Sequence, residues 1–115
     1  MSQETPLFAK TYDLLAYLLP AVEKFPRSQR AVLGRRLQEV SLGFLDLLLT
    51  ARKSPSAARG ALLRQADLEL DRLRYTVRLC HDLTLFTDKQ YRYLSGLLAE
   101  VGRLLGTWLK GYNTP

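Results

Sequence analysis

Apolar residues recur along most of the chain at alternating steps of three and four, the spacing that places them on one face of an α-helix. In the first quarter of the sequence this face comprises Phe8, Tyr12, Leu15, Leu19 and Val22. Three further stretches repeat the pattern, and no stretch of strand length alternates with a period of two. The sequence therefore predicts an all-α protein with four helices and no sheet.

Helix-capping and helix-breaking residues set the predicted limits of these helices. Thr5-Pro6 is expected to supply the cap and first residue of helix one, and Ser54-Pro55 those of helix three. Thr87 and Gln90 form a predicted capping box before helix four. Pro20 is expected to bend helix one rather than end it. The predicted helices span about residues 6–24, 28–53, 55–81 and 88–110.

Short connections between long helices favour antiparallel neighbours, so residues 1–115 are expected to form one domain, an up-down-up-down four-helix bundle. Additional leucines lie off the main stripes, which favours self-association, with wider core faces as the alternative. In helix four, two glycines one turn apart would let another backbone approach closely. The predicted oligomer interface consists of Leu97, Gly102, Leu104, Gly106 and Trp108.

The composition and net charge of the chain limit the kinds of partner and the cellular location that the sequence fits. Seventeen Lys and Arg against eleven Asp and Glu give a formal net charge of +6, which suits a polyanionic partner, with a simple gain in solubility as the alternative. The N-terminal residues lack the pattern of a secretion signal, and no apolar run approaches the roughly 20 residues of a membrane-spanning helix. The lone Cys80 excludes an intramolecular disulfide. We therefore expect a soluble, cytoplasmic protein without membrane contacts.

Uncompensated positive charge concentrates around the predicted corner between helices one and two. Cations near a helix N-terminus oppose the helix dipole by about 0.3–1 kcal/mol each, and only Glu39 lies within helical reach of them. An anionic partner would explain this arrangement, whereas an exposed, screened helix end is the alternative. In helix three, two arginines exceed the available acidic partners. The predicted binding residues for an anionic partner are Lys24, Arg27, Arg30, Arg35, Arg36, Arg74 and Arg78.

Candidate catalytic residues are few. The single histidine, His81, has no glutamate three residues before it, so the Glu-x-x-His pairs of di-metal bundles are absent from the sequence. Arg74 and His81 have the spacing of the Arg…His pair in helical ribonucleases of the higher eukaryotes and prokaryotes nucleotide-binding (HEPN) family. A chorismate mutase type of site, with several cations converging on a dicarboxylate, is a second enzymatic alternative. We expect no catalytic residue, metal, cofactor or small-molecule substrate.

Four segments form an ordered series of motifs along the chain. Phe25-Pro-Arg-Ser-Gln-Arg30 follows a Tyr-Asp-Leu-Leu helix, and Leu68-Glu-Leu-Asp-Arg-Leu-Arg74, Gln90-Tyr91 and Gly102-Arg-Leu-Leu-Gly-Thr-Trp108 come after it. Over about residues 8–110, this series resembles the accessory variability determinant (Avd) family of diversity-generating retroelements. The wider family of four-helix proteins encoded in ribosomal RNA intervening sequences shares the architecture but has a different opening pattern.

The resemblance implies a four-helix protomer that assembles into a homopentameric barrel with a basic surface. The implied partners are the reverse transcriptase of the retroelement and nucleic acid, meaning RNA and possibly DNA. The implied role is non-catalytic support of mutagenic cDNA synthesis in mutagenic retrohoming. On this basis, the basic residues named above are expected to contact the polymerase or the nucleic acid, and the two enzymatic interpretations remain as alternatives.

Overall fold

The computed structural model describes residues 4–112, which form four long helices and no strand. The second helix, α2, has three consecutive parts, the middle one π-helical. The helices are α1 (Glu4–Val22), α2 (Arg27–Gln29, the π-helical Arg30–Gly34, and Arg35–Lys53), α3 (Ser56–Asp82) and α4 (Asp88–Lys110). α3 packs against α2 and α4, and α1 packs mainly against α4. The all-α helical bundle is confirmed, with helix limits within two residues of those predicted.

The helix ends show which local signals act as expected. The capping box of α4 is confirmed: the Thr87 hydroxyl accepts the Gln90 amide proton at 3.1 Å, and the Gln90 side chain accepts the Thr87 amide proton at 2.9 Å. The other two predicted caps are wrong. Thr5 lies inside α1, and Ser54 donates its hydroxyl to the Thr50 carbonyl at the end of α2, so Pro55 precedes α3 without a side-chain cap.

The buried face of α1 coincides only in part with the predicted one, of which Leu15 and Val22 are buried. Tyr12, placed on the predicted stripe, is 71% exposed, whereas Leu14 and Leu18 are buried. Apolar residues occupy two adjacent stripes of this helix, and packing in the bundle buries the stripe that begins at Leu7 together with Leu15 of the predicted stripe. Pro20 lies within α1, so the helix continues through it as predicted. None of the four helices is long and apolar enough to cross a lipid bilayer.

Three of the residues assigned to an oligomer interface belong to the core of the single chain. Leu97, Leu104 and Trp108 are all buried in the protomer. This corrects their assignment, because α4 carries a wide core face rather than a second free one. Among the described residues, the exposed leucines are Leu42 and Leu49 on α2, Leu68 and Leu79 on α3, and Leu83 in the connection after α3. Assembly into an oligomer remains a prediction.

Candidate functional site

The corner between α1 and α2 contains the π-helical segment Arg30–Gly34. Its wider turn is closed by the amide of Arg35, which donates to the carbonyl of Arg30, five residues earlier. Gly34 is buried there, and a Cβ atom at this position would lie 2.9 Å from Cγ1 of Val22. The absence of a side chain therefore lets α2 pass close to the end of α1.

The π-helical segment determines which arginines share a surface. On a regular α-helix, residues five apart point about 140° away from each other. A π-helical turn instead brings residues i and i+5 to the same side, and Arg30 and Arg35 accordingly line one groove together with Arg27. We call this surface, defined by Arg27, Arg30 and Arg35, the arginine groove. The sequence predicted the cluster but not this alignment.

The arginine groove keeps an excess of positive charge. Nη1 of Arg30 donates to the backbone carbonyl of Glu23 at 3.2 Å, a contact that leaves the guanidinium charge unneutralised. Arg35 pairs with Glu39 at 3.6 Å, but both side chains are mostly exposed, so the pair contributes about 0–1 kcal/mol. Arg27 has no ion pair within residues 4–112. Planar guanidinium groups arranged in this way suit bidentate binding of phosphate or carboxylate.

The remaining two cations of the predicted cluster lie elsewhere. Arg36, the direct neighbour of Arg35, lines a separate groove between α2 and α3 with Arg72, Glu39 and Glu69. Lys24 is exposed in the connection before α2 and is not among the residues that line the arginine groove. The structure therefore separates one predicted cluster into the arginine groove and two isolated positions.

Arg74 and Arg78 line a third groove, of about 390 Å³, between α3 and α4. Nη1 of Arg74 lies 2.7 Å from Oδ1 of Asp71, so its charge is largely neutralised. The guanidinium of Arg74 also lies over Gly102, where any Cβ atom would collide with it. Gly102 thus provides room for an arginine of its own chain, while Gly106 has open space around it, and the expected approach of another backbone at these two glycines remains a prediction.

His81 lies next to this groove and has partners of its own. Its Nε2 atom is 2.7 Å from Oδ1 of Asp88, and its ring stacks on Tyr91 with centroids 4.2 Å apart. The hydrogen bond with His81, followed by its charge, lowers the pKa of Asp88. His81 does not line the groove that contains Arg74, so the pair typical of helical ribonucleases is not assembled there.

The other candidate for reactive chemistry is the thiol of Cys80. It is buried on the core face of α3, and desolvation raises its pKa to about 11. A thiol with such a pKa is almost entirely protonated near neutral pH and is a poor nucleophile. Within residues 4–112, no group of three or more His, Cys, Asp or Glu side chains is placed to hold a metal ion.

The positions of two side chains, Tyr75 and Arg59, were not predicted from the sequence. Tyr75 lines the groove with Arg74 and Arg78. The sequence feature that could have indicated this role is an aromatic residue between two arginines on the polar face of a helix. Arg59 donates to the carbonyls of Ala51 and Ser54 and to the hydroxyl of Tyr112. These partners lie 8, 5 and 53 residues away, and no local pattern indicates such a convergence.

Comparison with known protein families gives a match over nearly all of the described residues. The model of the bAvd-like family matches residues 7–112. This range contains every residue of the arginine groove and of the groove between α3 and α4. Among curated proteins, no match is found.

Proposed function

The chain belongs to the bAvd-like family, and from this premise we propose that it is the non-catalytic accessory protein of a diversity-generating retroelement. In this role it binds the reverse transcriptase and nucleic acid, and it supports the copying of template RNA into mutagenised cDNA. Membership of an Avd-type accessory family supports the general role. The choice of partners is supported by the charge distribution of the chain.

The observation that carries the choice of an anionic partner is the arginine groove. Three guanidinium groups from one π-helical corner line a single surface. Within residues 4–112, Glu23 is the only residue lining it that has a carboxylate, and Glu39 pairs with Arg35 from the neighbouring groove. Such a surface attracts a polyanion, because binding releases condensed counterions into solution. The formal net charge of the whole chain, +6, favours the same class of partner.

We further propose that the functional form is a homo-oligomer, a pentamer on the basis of the family resemblance. The exposed leucines Leu42 and Leu49 on α2 are candidate contact residues in place of the buried side chains of α4. Light scattering on the peak eluting from a size-exclusion column measures the number of subunits. A monomer at micromolar concentration would contradict the proposal, since obligate interfaces persist at that dilution.

Association with a reverse transcriptase tests the proposed role directly. The retroelement polymerase encoded beside this gene should co-purify with the protein and depend on it for cDNA synthesis on its template RNA. If the protein neither bound the polymerase nor changed its products, the accessory role would be wrong. If it cleaved RNA without metal, and His81→Ala abolished this cleavage, the ribonuclease alternative would take its place.

A charge-neutralising pair of substitutions tests the arginine groove. Arg27→Gln with Arg35→Gln should weaken binding of single-stranded RNA and make it less sensitive to salt. The slope of log K against log salt should fall by about 0.7 for each phosphate that the variant no longer neutralises. The matched control is Arg92→Gln with Arg103→Gln on α4, where one of the two exposed arginines likewise has a glutamate partner in its own helix. Equal salt dependence of the two double variants would show that the arginine groove is only a solvated surface.

A further inference from the structure

The groove between α3 and α4 combines aromatic, cationic and hydroxyl-bearing side chains from two helices, and the carboxylate of Asp71 lines it as well. Tyr75 and Arg78 lie on the α3 side, and Tyr91 and Ser95 lie on the α4 side. The buried residues Val77 and Leu98 also line it. Its volume of about 390 Å³ is within the range of about 300–1,000 Å³ that small-molecule sites occupy.

The ring of Tyr75 is available to a planar partner. This residue is 70% exposed and makes no ring-to-ring contact within residues 4–112, although it lines a groove. Tyr91, in contrast, is held against His81 with an angle of 4° between the ring planes. One wall therefore has a fixed aromatic ring, and the other has a ring with an accessible face.

The charge beside Tyr75 is concentrated on one residue. Arg74 is already paired with Asp71. Arg78 has no ion pair or side-chain hydrogen bond within residues 4–112, and it lies three residues after Tyr75, which makes the two side chains neighbours on the helix surface. An open aromatic face next to an unpaired guanidinium is the combination with which proteins hold a base and a phosphate of single-stranded nucleic acid.

We propose that this groove holds one nucleotide of a single-stranded nucleic acid, with the base stacked on Tyr75 and the phosphate on Arg78. The inference rests on the proposed nucleic-acid binding and adds a second site, distinct from the arginine groove. The two sites differ in chemistry, because the arginine groove contacts only the backbone charge, whereas the Tyr75 site requires an unpaired base. An acidic protein segment could use Arg78 but would leave the face of Tyr75 without a partner.

The test uses the full-length protein and a single-stranded RNA that contains 2-aminopurine, whose fluorescence falls when it stacks on an aromatic ring. Tyr75→Ala should raise the Kd about tenfold and abolish the quenching. Tyr75→Trp should retain both properties of the parent protein. The matched control is Tyr12→Ala, because Tyr12 is 71% exposed but lies on α1, outside the groove. Binding of duplex RNA of the same length should be unaffected by Tyr75→Ala, since its bases are stacked on one another.

Three results would overturn the inference. Equal Kd values and equal quenching for Tyr75→Ala and Tyr12→Ala would show that no base stacks in this groove, while the proposed function would stand on RNA binding by the parent. A changed number of subunits in Tyr75→Ala alone would assign Tyr75 to an interface with another copy, in line with Leu68 and Leu79 on the same face of α3. No RNA binding by the parent at low salt would exclude both the nucleotide site and the nucleic-acid part of the proposed function.

Discussion

Replacing Arg59 with alanine is expected to destabilise the fold although the side chain carries a charge and is only partly buried. Its guanidinium donates to the carbonyl of Ala51 at 2.8 Å, to the carbonyl of Ser54 at 2.7 Å and to the hydroxyl of Tyr112 at 3.0 Å. The first two acceptors lie at the C-terminal end of α2, where the Ala51 carbonyl also accepts the Ser54 amide proton at 3.2 Å and the last carbonyls lack the usual helical partner four residues later. Arg59 thus supplies donors to the end of one helix from the first turn of the next.

The size of the effect follows from these contacts. Hydrogen bonds from a charged donor contribute about 1.5–3 kcal/mol each, and a cation at a helix C-terminus adds about 0.3–1 kcal/mol. Ordering the arginine side chain costs about 2 kcal/mol. Because the site is only partly buried, water replaces part of each hydrogen bond, which lowers the contribution of each to about 1 kcal/mol. We therefore expect Arg59→Ala to lower the free energy of unfolding by about 2 kcal/mol. For a domain of this size, this corresponds to a fall in Tm of roughly 8 °C or more.

Urea denaturation followed by far-UV circular dichroism measures this change, with all variants at one protein concentration because an oligomer gains stability from association. The control is Arg72→Ala in the same helix, which removes only a surface ion pair with Glu69 and should cost about 0–1 kcal/mol. Arg59→Lys should fall between the two, because it keeps the charge but cannot reach all three acceptors. If Arg59→Ala were as stable as Arg72→Ala, the proposed stabilisation of the end of α2 would be refuted.

Three further predictions concern single groups. Thr11→Val should raise the free energy of unfolding by about 1 kcal/mol, because the buried Thr11 hydroxyl has no hydrogen-bond partner within residues 4–112; a loss of stability in urea denaturation would contradict this. Cys80 should react slowly with iodoacetamide in the native protein, at a rate that still increases with pH up to about 11, since burial raises its pKa to that value. A rate at pH 8 equal to that of the urea-unfolded chain would disprove this prediction. The lowered pKa of Asp88 means that its stabilising contribution is present above the usual Asp pKa of 3.8 and is lost as the pH falls through the lower native value. Nuclear magnetic resonance titration should therefore show the pKa of Asp88 rising in His81→Ala, and an unchanged pKa would show that His81 is not its cause.

The sequence by itself determined the features that depend on residues within one or two helical turns. The heptad stripe of α3, with Leu63, Leu70 and Val77 buried, follows from helical periodicity alone. The capping box of Thr87 and Gln90 is equally local, because both hydrogen bonds are made within one turn. Membership of the family can also be recognised from the sequence, since its motifs are ordered along the chain and the family model matches residues 7–112.

Only the tertiary structure decided which of several chemically equivalent faces meets a neighbour. In α1 and α4 the sequence offers two adjacent apolar stripes, and the choice of Leu14 over Tyr12, like the burial of Leu104, depends on the position of the packed helices. Arg35 and Arg36 are identical in type and adjacent, yet they line different grooves, because successive helix residues point about 100° apart and the π-helical turn aligns only Arg35 with Arg30. The physical reason is that the pattern of side chains specifies a helix and its amphipathic faces locally. Which of these faces is buried, and which charged side chains lie close together, depends on how helices that are distant in sequence pack against one another.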